Sequence, residues 1–135
     1  MQRLLIIYTP DSDFKDIAEG IKEGAETQGF RVDIKNTKDI SNGVSFYPYD
    51  LILAGSPTKG IFKGKIDQSL NKFLAEAKRT VGKDAVAFVK PRFFATNKAL
   101  KKVMAALEEQ GCIVKNFKAI KDHQSAVEFG KNINI

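Results

Sequence analysis

Two short segments of this chain carry the residue types that could hold a ligand. The apolar run Tyr49-Asp-Leu-Ile-Leu-Ala54 stops at Gly55 and turns through Ser56-Pro57-Thr58-Lys59 to Gly60, after which the spacing becomes helical. A buried strand that delivers small, hydroxyl-bearing residues to the carboxyl edge of a sheet is where open α/β domains bind ligands. The second segment, Thr9-Pro10-Asp11-Ser12-Asp13, is a bend between an N-terminal apolar run and a helical pattern. The N–H groups at such a helix start favour an anion, whether a ligand's or one of the chain's own carboxylates.

Residue types remove several other chemistries. A phospho-receiver needs an aspartate ending the third strand, where this chain has Gly55-Ser56. A low-molecular-weight phosphatase needs a cysteine in the loop opening the first helix, and the single cysteine is Cys112. That residue reads as a small buried hydrophobe inside a strand over Cys112–Val114 rather than a reactive thiol. Gly60-Ile-Phe-Lys-Gly64-Lys65 is one residue short of a P-loop and runs on into Ile66. Pro10-Asp11-Ser12 supplies no glycine for a dinucleotide fingerprint. His123 is the sole histidine, which leaves no basis for a His-based metal cluster or a serine triad. It is expected on the surface, just before the last helix.

The elements that must position these segments follow from hydrophobic spacing. Arg3–Tyr8 is an unalternating apolar strand, as in a sheet buried on both faces. Phe14, Ile17, Ala18, Ile21 and Ala25 recur at helical spacing, with Ser12 or Asp13 as the cap and Gly29 as the stop. Phe30–Ile34 alternates, which suits a strand near an edge; Lys38–Tyr47 is loop-like and carries Asn42-Gly43. Asp50–Ala54 is the third strand, and Ile66, Leu70, Phe73, Leu74 and Ala77 mark the next helix. Asp84–Val89 is the fourth strand, followed by Lys90-Pro-Arg-Phe-Phe94 and a helix capped by Thr96 or Asn97, with Leu100, Val103, Met104 and Leu107 on its apolar face. Gly111 closes that helix, Cys112–Phe117 is the fifth strand, and the last helix covers about Gln124–Asn132 with Ser125 and Glu128 spaced as a capping box. Strands alternating with helices predict a single α/β domain over residues 1–135, a three-layer α/β/α sandwich. Its five-stranded parallel sheet is expected in the order 2-1-3-4-5.

Hydrophobic residues make up 43% of the chain and charged residues 28%, the profile of an ordinary globular domain. No apolar run is long enough to span a bilayer and no signal-type flank appears, so the expected location is the cytoplasm. The formal charge is +6. Lys98, Lys101 and Lys102 read as a solvated helix face. A denser group, Lys59, Lys63, Lys65, Lys90 and Arg92, surrounds the loops after two strands and suits a phosphate, an acidic partner or nucleic acid. Without an aromatic-basic RNA signature or zinc spacing, nucleic acid is not the expected partner.

The Gly55-Ser-Pro-Thr-Lys-Gly60 loop resembles the G-S-P-T-x-x-G flavin loop of the flavodoxin-like family, with its second glycine one residue earlier. The likeness extends to the Leu4–Thr9 strand, Ile66 with Phe73-Leu74, and the closing Val127-Glu-Phe-Gly-Lys131 helix. The resemblance implies an electron-transfer or redox role with flavin mononucleotide (FMN) along the sheet's carboxyl edge. The phosphate would lie at the loop after the first strand, by Thr9, Ser12 and Asp13. Ser56, Pro57, Thr58, Lys59 and Gly60 would line one side of the ring, and Lys90, Pro91, Arg92, Phe93 and Phe94 the other. Its partner would be an acidic redox protein docked on the basic rim. The family's phosphate loop reads roughly [ST]-x-T-G-x-T, whereas this chain has Thr9-Pro-Asp-Ser-Asp-Phe14. A carboxylate about 4 Å from a phosphate costs on the order of 4 kcal/mol per charge at an effective dielectric near 20, against about 0.3–2 kcal/mol from a helix terminus. If Asp11 faces the loop, it or Asp13 caps the helix in place of the phosphate, leaving a cofactor-free binding module. An NAD(P)H-dependent FMN or quinone reductase is a third reading.

Overall fold

The computed structural model describes residues 2–38, 43–60, 62–92 and 94–134, and the backbone alone at Ser12. The unalternating run near the N-terminus becomes β1 (Arg3–Tyr8), followed by α1 (Ser12–Thr27) and β2 (Arg31–Asn36). Then come β3 (Leu51–Pro57), α2 (Gln68–Glu76), β4 (Asp84–Lys90), α3 (Thr96–Glu109), β5 (Ile113–Ala119) and α4 (His123–Lys131). All five strands are parallel and ordered β2-β1-β3-β4-β5, as the sequence predicts. No described helix is long and apolar enough to cross a membrane.

The strand side chains divide between two apolar layers. Leu5, Ile7, Ile52, Ala54, Ala85, Ala87 and Val89 pack beneath α2 and α3, with Leu70, Phe73, Leu74, Val103 and Leu107. Leu4, Ile6, Tyr8, Leu53, Val86 and Phe88 face α1 and α4, against Phe14, Ile17, Ile21 and Ala126. Period-two alternation thus serves both faces, which is why β1 and β4 show no polar positions in their interiors and β3 only Ser56 near its end.

Several boundaries differ from the sequence reading. The cap of α1 is Asp11, the residue weighed with the phosphate loop, rather than the Ser12 or Asp13 suggested by helical spacing. Ala95, which has no capping side chain, precedes α3, and Thr96 is already helical. Asp122 caps α4 through the Ser125 N–H (2.8 Å), so the expected Ser125–Glu128 box is not the device used. In both helices an aspartate ahead of the residue chosen from spacing supplies the cap, one position earlier than Ser12 in α1 and three earlier than Ser125 in α4. β3 extends through Pro57, so Gly55 and Ser56 lie in the strand rather than the turn. Asn42 of the expected Asn42-Gly43 turn lies outside the described residues.

β5 departs most from a doubly buried strand: Ile113 and Phe117 are exposed, and Lys115, Asn116 and Lys118 face solvent. The cause is the seat of α4, which lies against α1 with almost no side-chain spacer. A Cβ on Gly24 would stand 2.1 Å from the Val127 carbonyl oxygen, and one on Gly130 2.3 Å from that of Ile21. Drawn onto α1, α4 leaves an open groove of about 750 Å³ along its length, bordered by Lys118, Lys121 and Phe129.

Candidate functional site

The loop after β1 is closed by the chain itself. Asp11 Oδ1 accepts hydrogen bonds from the N–H groups of Asp13 (3.0 Å) and Phe14 (3.2 Å). The Asp11 N–H donates to the Thr9 carbonyl (2.8 Å), and Pro10 has no N–H to offer. Beneath the loop, Phe14 is fully buried and stacks on Phe88, with ring centroids 5.3 Å apart. A Cβ on Gly55 would reach within 2.5 Å of the Phe88 ring, so glycine is required there for close approach. Asp13 points outward and meets Lys90 at 3.7 Å. Thr9 is fully buried, and its hydroxyl has no hydrogen-bond partner.

The residues after β3 are held by other bonds. The Ser56 hydroxyl accepts the Asp67 N–H (3.0 Å) and donates to the Pro57 carbonyl (2.9 Å), tying the strand end to the start of α2. Half-buried Pro57 completes β3, and the Thr58 N–H continues the ladder to the Lys90 carbonyl. The Thr58 hydroxyl, like that of Thr9, is buried and unpartnered. Lys59 pairs with Asp67 at 3.4 Å. Partial burial pushes the Asp67 carboxyl up, but Ser69 and the Lys59 ammonium outweigh it and hold the group below the usual carboxylate range. Lys59 and Lys65 exchange both backbone hydrogen bonds at 2.7 Å, pairing the two ends of a small hairpin of which residue 61 lies outside the described residues. Gly60 sits within it at φ +77, a left-handed position suited to glycine.

That hairpin leans on the loop after β4. Phe62 stacks with Phe94, centroids 6.1 Å apart and planes within 3°. Lys98 Nζ donates to the Phe62 carbonyl (3.1 Å) and Lys102 Nζ to that of Lys63 (3.0 Å), so the start of α3 holds the hairpin down. Pro91 is half-buried beside the α4 groove, and the Arg92 N–H donates to the Thr96 hydroxyl (3.2 Å). Phe93 lies outside the described residues. Sequence reasoning missed Phe62. Its only sequence signal is its place between two glycines, Gly60 and Gly64, both with positive φ.

This arrangement of five parallel strands, with ligand-type loops at one edge, matches known structures along nearly the whole chain. Oxidised flavodoxin 1 from Bacillus cereus superposes with a TM-score of 0.71 at 18% identity, covering 98% of this chain and 100% of that one. A flavodoxin from the domain Archaea gives 0.67 at 19% identity, covering 97% and 95%. The flavodoxin WrbA-like protein from Agrobacterium tumefaciens gives 0.67 at 17%, covering 97% and 94%. The chain has the flavodoxin-like fold. No family model and no curated protein sequence matches it.

The flavodoxin-like frame invites a test of whether these residues suit FMN, and at the phosphate end they do not. Of the N–H groups that would turn to a dianion, those of Asp11, Asp13 and Phe14 are committed within the chain. The acceptor of two of them is a carboxylate, which repels a phosphate. Phe14 takes the position of a hydroxyl and fills the space beneath with a ring. Among the described residues no group of three or more His, Cys, Asp or Glu could hold a metal. Cys112 is buried, its thiol pushed up by burial, and His123 opens α4 bonded to Asp16 and Glu23 of α1.

Proposed function

We propose that this chain is a cofactor-free binding module on the flavodoxin-like fold, its phosphate loop closed by its own carboxylate. The observation that carries this reading is the Asp11 side chain, seated on the two N–H groups at the start of α1. A capped helix start of this kind is worth about 1 kcal/mol to the protein, and a phosphate would have to displace it against like-charge repulsion. The basic loops remain as a surface for an anionic partner. An FMN-dependent electron carrier or reductase is disfavoured for the same reason. Titrating the protein into FMN tests the proposal: flavin fluorescence should stay constant at micromolar concentrations, and saturable quenching would overturn it.

One observation supports a second reading. The hydroxyls of Thr9 and Thr58 are buried without partners, a cost of about 1–3 kcal/mol each that a ligand could offset. A flavin lacking the phosphate would meet those hydroxyls without meeting Asp11 in opposition. Riboflavin binding in the absence of FMN binding would establish it, and indifference to both would dismiss it.

A further inference from the structure

We propose that the 59–65 hairpin, the loop after β4 and the first turns of α3 form a stacking platform for single-stranded nucleic acid. The inference rests on the preceding reading in one respect: the rings of this rim are open to a ligand rather than serving as a wall around FMN. Phe62 and Phe94 are 68% and 81% exposed although they stack on each other. Near-parallel planes leave flat outer ring faces, onto which a planar base continues the stack. The rings do not drift freely, because Lys98 and Lys102 fasten the hairpin backbone to α3.

The charge around the rings is predominantly positive. Lys59, Lys63 and Lys65 come from the hairpin and Lys98, Lys101 and Lys102 from α3, while Asp67 is the carboxylate paired into the group. Lys98 and Lys102 donate to carbonyls, so their positive charge is not neutralised. A recess lined by Lys59, Lys65, Ile66, Asp67, Gln68 and Lys102 lies alongside. Flat aromatic faces beside ammonium groups are what single-stranded nucleic acids use, bases on the rings and phosphates on the lysines. A stable protein partner would need about 800 Å² of this face, with an apolar centre. Among the described residues, the other large exposed hydrophobics lie elsewhere, with Tyr47 and Val81 before β4 and Ile113 and Phe117 on β5. Two rings in a field of lysines suit bases better than a protein core.

No sequence motif announced this surface because its aromatics come from separate segments, joined only when the hairpin folds onto the loop after β4. Fluorescence anisotropy with a labelled oligothymidylate of about twelve nucleotides tests the proposal. Binding should be measurable at about 50 mM salt and fall steeply by about 200 mM, with a logarithmic slope near −0.7 per phosphate contact. Phe62→Ala and Phe94→Ala should each weaken it about 5- to 100-fold with the slope unchanged, and thermal melts should confirm that both variants are folded. Lys63→Gln and Lys101→Gln should each reduce the slope by about 0.7. Absence of binding at low salt would overturn the proposal. So would inorganic polyphosphate competing as well as the oligonucleotide while both phenylalanine variants bind normally. Poly-glutamate binding that depends on Phe62 and Phe94 and outcompetes the oligonucleotide would reassign the rim to an acidic protein. Excess FMN should leave the isotherm unchanged. If FMN binds and displaces the oligonucleotide, the closed-loop reading falls while the platform stands.

Discussion

Replacing Asp11 by Thr together with Ser12 by Gly should reopen the loop after β1 to a phosphate. Asp11 Oδ1 occupies two N–H donors, those of Asp13 and Phe14. The substitution frees at least one of them and removes the negative charge from the mouth of the loop. At about 4 Å a charge pair is worth about 1 kcal/mol in water and about 4 kcal/mol at an effective dielectric near 20. Asp11 is exposed, so screening places its contribution toward the lower end, about 1–3 kcal/mol. That corresponds to FMN binding about 5- to 150-fold tighter in the double variant than in the unaltered chain. Thr is itself a competent cap, and Gly in the first turn costs up to about 1 kcal/mol, so the variant should still fold. The assay is quenching of FMN fluorescence, with a thermal melt to confirm the fold. Equal affinity in the two proteins would refute the reasoning, and so would a folded variant that ignores FMN, because either result means that Asp11 is not the barrier.

Three further outcomes follow from the same geometry. Asp11→Ala removes the cap without replacing it and should cost about 1 kcal/mol, a drop of roughly 3–6 °C in a melt followed by circular dichroism. The pKa of His123 in the folded chain is raised above the ordinary 6.5, chiefly by Glu23 at Nε2 (2.9 Å) and then by the Asp16 backbone carbonyl at Nδ1 (3.0 Å). The stability linked to it is fully present below about pH 6.5 and is lost as pH rises through the elevated value, so Tm should fall across that window and His123→Gln should flatten the fall. The carboxyls held low, those of Asp33, Asp67 and Asp122, act in acid instead and leave that window clear. Gly130→Ala should cost about 1–3 kcal/mol, because its Cβ would meet the Ile21 carbonyl oxygen at 2.3 Å and force α4 off α1; urea unfolding measures the loss.

The strand order was legible because β1, β3 and β4 have almost wholly apolar interiors and alternate with amphipathic helices, a pattern that right-handed crossovers turn into few arrangements. That a carboxylate of the chain itself closes the loop after β1 was legible too, since Pro10 lacks an N–H and Asp11 can reach the helix start. Its detail was not, because three carboxyl or hydroxyl side chains in succession could each cap α1, and backbone geometry chooses among them. The Asp11 backbone is extended, at φ −96 and ψ 132, which turns its oxygen back onto the next turn. Ser56 looked like a ring-lining hydroxyl, yet it serves the Asp67 N–H, a partner eleven residues on that only the fold brings near.

Close approach of glycines explains both what the sequence hid and how the rims of the sheet differ. Gly20, Gly24 and Gly130 are spaced like ordinary helix residues, and nothing in the chain says that they lie at the contact between α1 and α4. Once they do, α4 belongs to α1 rather than to β5, and the edge strand stays half open behind a row of lysines that blunts strand addition. The Asn116 side chain accepts the Phe117 N–H (2.8 Å), satisfying one donor of that strand locally. Polarity therefore protects β5, whereas at the opposite end of α3 it gathers around exposed rings. Lysines beside satisfied backbone keep an edge soluble; lysines beside bare, parallel phenylalanines leave apolar area that water covers poorly. That difference, more than net charge, is why the hairpin rim and not β5 is assigned a ligand.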